Sequence, residues 1–138
     1  MIHLLTTVKT RLQPLAALTG WTLFTAAELG PRQAVPRAAI GFSSAGVATV
    51  KTTAAQVEPS LAITLVVKHG DGADVALDSA MSAVIEQLHN WVPGEHGGRG
   101  WETMQLAQIT APPDFESEEG LVGLTIAFTT QTLYRGQP

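Results

Sequence analysis

The chain has 138 residues, 45% hydrophobic and only 14% charged, with a formal net charge of -4. That composition excludes an intrinsically disordered chain and argues against nucleic-acid binding, which needs a basic patch. With no cysteine, a thiol nucleophile, a thiolate metal site and a disulfide scaffold are excluded, and the chain fits a reducing compartment. The length predicts one domain over 1–138, large enough to fold without a metal or a disulfide. So little charge also suggests that part of the surface is covered by something other than water. No targeting segment is expected, and no apolar run approaches the ~18 residues of a membrane span.

In chain order, Ile2, Leu5, Val8, Leu12 and Leu15 recur at three- and four-residue steps and predict a helix. Pro14 should end or kink it near Leu12–Gln13. Trp21 to Thr25 reads as a short strand, and Ala26 to Pro36 as a connection punctuated by Gly30-Pro31 and Pro36. A second strand opens at Arg37, with Ala38, Ile40 and Phe42 on one face.

Ser43 to Pro59 is small, threonine- and alanine-rich. It reads either as a β-hairpin arm or as a mobile segment, and long loops in small domains are usually functional or disordered. Val47, Val50 and Val57 are its only sizeable apolar side chains, and Lys51 its only basic one. They are too few to build a core, which describes an arm kept for contacts outside its own subunit. Leu61 to Lys68 is the clearest strand, with Leu61, Ile63, Leu65 and Val67 facing one way.

After a turn at His69–Gly72, Asp74 is a plausible N-cap for a helix running to about Trp91. Its stripe is Leu77, Met81, Val84, Leu88 and Trp91. Pro93 to Gly100 reads as a glycine-rich loop holding Arg99. Glu102 to Ile109 is a further strand candidate, and Ala111 to Gly120 an acidic turn. Leu121 to Arg135 reads as the longest strand, with Val122, Leu124, Ile126, Phe128 and Tyr134 on one face.

This order predicts an α+β fold: a mainly antiparallel sheet, two helices packed on one face, and the possible hairpin arm. The other face is small and threonine-rich. It suits packing against another subunit, and a solvated face equally.

Chemistry is hard to find. His89, His96 and Glu95 could approach one another around a helix end as a zinc site, but a polar helix end and a loop explain them better. Asp71, Asp74 and Asp78 lack the spacing and closing Glu of a calcium loop. The glycines from Gly94 to Gly100 precede no helix, so they make no phosphate cradle. Ser43-Ser44 forms no nucleophile elbow. The residues therefore name no catalytic group, no metal ligand and no cofactor.

The stretch GWTLFTAAELGPRQAVPRAAIGFSSAG, the strand LAITLVVKHG with its following helix, and the closing stretch from Leu88 to Gly136 resemble the tail-terminator (tail-completion) proteins of long-tailed bacteriophages and prophages, the lambda U-like group. The resemblance covers nearly the whole chain in order and spacing. It departs at Ala45–Val57 and Gly94–Gly100. It implies a non-enzymatic virion protein that assembles in the host cytoplasm and lies at the head-proximal end of the tail. Its partners would be its own copies in a closed ring, commonly a hexamer, the tail-tube protein and the head–tail joining proteins. It implies neither nucleic-acid specificity nor a membrane. The residues assigned to a subunit or tube interface are Val47, Val50, Lys51 and Val57 in the arm, Arg99 in the glycine-rich loop, and Glu116, Glu118 and Glu119 in the acidic turn, where Lys51 of a neighbour would reach. The alternatives are a small ligand-binding or enzymatic α+β domain, or a head–tail connector or secretion-tube component of similar fold.

Overall fold

In the computed structural model the described residues are 1–28, 34–51, 53–96, 99–111 and 120–135, with only the backbone described at 48–51 and 96. Two helices, α1 (Ile2–Leu12) and α2 (Ala73–Leu88), accompany eight strands. These are β1 (Thr22–Thr25), β2 (Arg37–Lys51), β3 (Ala54–Lys68), β4 (Gly94–His96), β5 (Arg99–Trp101), β6 (Gln105–Thr110), β7 (Leu121–Thr129) and β8 (Thr132–Arg135). The main sheet runs β1-β2-β3-β7-β6, and β8 also pairs with β3. All its pairings are antiparallel except the parallel β1–β2 edge. The fold is α+β.

The period-2 pattern sets the core face. Across the sheet Leu61 lies opposite Phe128, Ile63 opposite Ile126 and Leu65 opposite Leu124. On the other flank Ile40 meets Ile63 and Ala38 meets Leu65. Both helices cover this face, and Leu4, Leu5, Val8 and Leu12 of α1 join Leu77, Ala80, Val84 and Leu88 of α2 in one buried cluster with it. Each such leucine contributes about 1.5–3 kcal/mol by leaving water.

The sequence stripes need small corrections. Ile2 is exposed, and Leu4 takes its place in the core. Ala80 is fully buried while Met81 is half-buried. An apolar helix face is at least ~100° wide, so a neighbouring position can carry the contact. The N-cap of α2 is Gly72, not Asp74. Gly72 turns the chain at φ 85, a conformation a β-carbon disfavours. Asp74 sits inside the first turn, where its charge still suits the positive end of the helix. The helix stops at Leu88, and Asn90 at φ 66 turns the chain out, so Trp91 lies beyond it.

The glycine-rich segment from Pro93 to Gly100 contains a short hairpin, β4 with β5, rather than a plain loop. Met104 is fully buried but precedes its strand, which begins at Gln105.

The long closing strand follows its predicted path with one interruption. Thr129 pairs with Ser60 and Thr132 with Val57, so β8 continues β7 in the same register along β3. The gap at Thr130–Gln131 falls opposite Pro59, which has no amide to donate. The gap is filled from elsewhere: the Glu102 amide donates to the Gln131 carbonyl at 2.9 Å, and Thr130 Oγ1 donates to the Glu102 carbonyl at 2.6 Å.

Candidate functional site: the arm and its bracing strand

The segment Ser43–Pro59 adopts the hairpin alternative and is not a loop. β2 pairs with β3 from Arg37↔Val66 out to Lys51↔Ala54, with irregularities at Phe42/Ser44 and Val47/Thr49. The arm has a third strand as well. β8 lies along its outer part, from Val57↔Thr132 out to Ala54↔Arg135 at the tip. β3 is therefore flanked on both sides along the arm, whereas a lone two-stranded hairpin is only marginally stable.

One face of the arm is polar. Gln56 Nε2 donates to Gln131 Oε1 at 2.6 Å, and Gln131 Nε2 donates to Glu58 Oε2 at 2.9 Å. Gln131 thus joins two residues of the central strand from the gap between β7 and β8. Beside it, Ser44, Gly46, Val47, Glu58, Ser60 and Thr129 line a shallow groove of about 340 Å³.

The β4–β5 hairpin closes on β8. Thr132 Oγ1 donates to the Gly100 carbonyl at 2.7 Å. The Arg99 guanidinium lies 3.8 Å from the centroid of the Tyr134 ring, a cation–π contact. Glu95, Arg99, Gly100, Thr132, Leu133 and Arg135 line a groove of about 530 Å³ there. The Met1 amine is held below its ordinary 8.0, first by burial and then by the positive charge of Arg99.

Of the interface residues read from sequence, Val47 is exposed at 57% and stands opposite the half-buried Val57. Val57 also pairs with Thr132, whose hydroxyl reaches Gly100 beside Arg99, so Val47, Val57 and Arg99 gather at the middle of the arm. Val50 and Lys51 lie on β2 near the tip, with their side chains outside the described residues. Glu116, Glu118 and Glu119 also lie outside the described residues. The sequence reading missed Gln131, Leu133, Tyr134 and Arg135. The alternation through Leu121–Arg135 carried their signal, since a run this long must extend past the helices along β3.

Elsewhere, His89 Nδ1 accepts the Leu106 amide at 3.0 Å, which ties that ring to the chain entering β6. Among the described residues no three His, Asp or Glu side chains are grouped to hold a metal. No helix among them is long and apolar enough to cross a membrane.

No family model matches the chain, and no curated protein matches it in sequence. By structure it is similar to a chain from the virion of the native gene transfer agent particle, with a TM-score of 0.68 and 17% identity over 96% of this chain and 96% of that one. The likeness is one of fold, and it extends over nearly the whole of both chains.

Proposed function

We propose that this chain is a structural, non-enzymatic protein of a phage or phage-like virion, and within it a tail terminator. It forms a closed ring, commonly of six copies, on the head-proximal end of the tail tube. There it stops polymerisation and offers a surface to the head-joining proteins. The observation that carries the reading is the fold shared end to end with a chain of a gene transfer agent virion. The arm supports it: a β-hairpin continued past the core, with Val47 exposed, has the form of a device for reaching a neighbour. A ring requires two different patches on each copy whose rotation closes, and a chain with 14% charged residues can present weakly charged ones.

The test is electron microscopy of the purified protein, alone and on tail tubes. Rings capping tubes of uniform length are expected. Shortening Ala45–Gln56 to a Gly-Ser turn removes the outer arm with most of its β8 pairing, leaves the core sheet in place, and should yield folded protein with overlong tubes. Protein absent from mature tails, or found only as a two-fold dimer, overturns the reading.

A further inference from the structure

We infer that neighbouring copies join through main-chain hydrogen bonds between the outer edge of β6 in one copy and the outer edge of β2, beyond Ile40, in the next. The inference rests on the ring reading and names the surfaces that build it.

Both margins of the main sheet end in strand backbone that lacks a strand neighbour among the described residues. β6 pairs only with β7. β1 covers β2 only over Arg37–Ile40, and the Ile40 carbonyl accepts the Ala26 amide at 2.9 Å. From Gly41 to Lys51 that side of β2 has no strand beside it among the described residues. Such edges are templates for another strand, and proteins usually blunt them with lysine, proline or inward-pointing charge. Here the blunting is slight. Gln105–Thr110 contains no charged residue or proline, and neither does Gly41–Val50, with Lys51 following only at the tip. β6 has one irregularity, at Leu106/Gln108, and β2 has two, at Phe42/Ser44 and Val47/Thr49. Each edge exposes an apolar side chain, Ile109 at 46% and Val47 at 57%. Nothing in either edge repels the other.

The two edges overlap in height over a short stretch. Across the sheet Gln105 aligns with Thr129, Ser60 and Ser44, Leu106 with Phe128, Leu61 and Phe42, and Gln108 with Ala127, Ala62 and Gly41. Gln105–Gln108 thus stand level with the open stretch Gly41–Ser44, while Ile109 and Thr110 stand level with Ile40 and Ala39 and would abut the end of the neighbour's β1. Three antiparallel steps separate β2 from β6, so the two run antiparallel within one copy. Rotation about an axis along the strands preserves that direction and brings β6 of one copy antiparallel to β2 of the next. The contact is heterologous, one edge of each kind per copy, which is what a closed ring needs. Strand addition of this type draws its affinity from the main chain.

The absence of cysteine makes a direct test possible. Gln108→Cys is combined in turn with Ser43→Cys, Ser44→Cys, Ala45→Cys, Gly46→Cys or Val47→Cys, and the assembled protein is mildly oxidised. Within one copy the two strands are about 14 Å apart, three strand spacings, beyond the ~7 Å that a disulfide spans. Any bridge must therefore join copies. The expected result is a covalent ladder ending at the ring size for at least one pair, and no ladder from either cysteine alone. Ile109→Lys, at an exposed position, should leave the circular dichroism and melting of the subunit unchanged and reduce the ring population at least tenfold. Wild-type rings with no ladder from any pair, or rings unaffected by Ile109→Lys, overturn this inference alone. Wild-type protein that forms no ring on tubes overturns the ring reading and this inference with it. Cross-links made only to the tube protein also overturn it.

Discussion

The Arg11 guanidinium lies 4.5 Å from the centroid of the Trp91 ring, and its Nε donates to the Gln87 carbonyl at 2.9 Å. One side chain near the end of α1 thus serves the last turn of α2 twice. It satisfies a carbonyl that the helix leaves without an internal partner, and it holds Trp91 where the chain turns away. Arg11→Ala should lower stability by about 2–4 kcal/mol, the sum expected of a cation–π contact and a charged hydrogen bond. Arg11→Lys should recover only part, because an ammonium lacks the planar fork that stacks and donates together. Urea melts of the three proteins check this, and equal midpoints would show the contact to be idle.

Leu88 is fully buried where α2 meets the sheet. Leu88→Ala should cost about 2–5 kcal/mol, the range for a truncated core leucine. A loss below ~1 kcal/mol in the same melts would contradict the packing of α2.

Lys9 and Glu28 form an ion pair at 2.9 Å, joining α1 to the start of the connection after β1. The Lys9 hydrogen bond is the largest cause holding the Glu28 carboxyl below its ordinary 4.5. A lowered folded-state value means that the pair's stabilisation is present above 4.5 and is lost as the pH falls through the folded-state value. The melting temperature of Glu28→Gln should therefore trail the native protein at neutral pH and converge with it in acid. A gap that persists unchanged into acid would exclude the carboxylate as its source. Added salt should shrink the neutral-pH gap, as expected for a pair this exposed.

Thr130 and Thr132 are both buried, and both hydroxyls donate to carbonyls of the segment that follows the β4–β5 turn. Replacing both by valine keeps the volume and removes the donors. The expected loss is about 1–3 kcal/mol, with faster amide exchange at Trp101 and Glu102. Unchanged exchange there would mean that the hairpin is held by Arg99 and Tyr134 instead.

The core was legible because its side chains alternate against a buried face. Leu61, Ile63, Leu65, Val122, Leu124, Ile126 and Phe128 were assignable from period alone, and they pair in rows as that period requires. The β4–β5 hairpin was not legible: three-residue strands rich in glycine carry too few side chains to show a period. The arm read ambiguously for a related reason. Ala45, Gly46 and Val47 are all exposed and Ala54–Glu58 all half-buried, with no alternation of buried and wet faces, so this stretch resembles a loop even where the backbone is paired. Pro59 hid the rest, since the break it imposes opposite Thr130 masks the passage of the closing strand from the core to the arm.

The pairing of β8 with the outer part of the arm has a consequence for biosynthesis. Ala54–Val57 emerge from the ribosome well before Thr132–Arg135, the strand that braces them. Until that strand is made, the outer arm is a two-stranded ribbon, too weak to hold itself straight in water. Bracing it also closes a long loop of chain, an entropic cost that grows only slowly with length. A nascent chain therefore gains a rigid arm late, after the helices and most of the sheet are available.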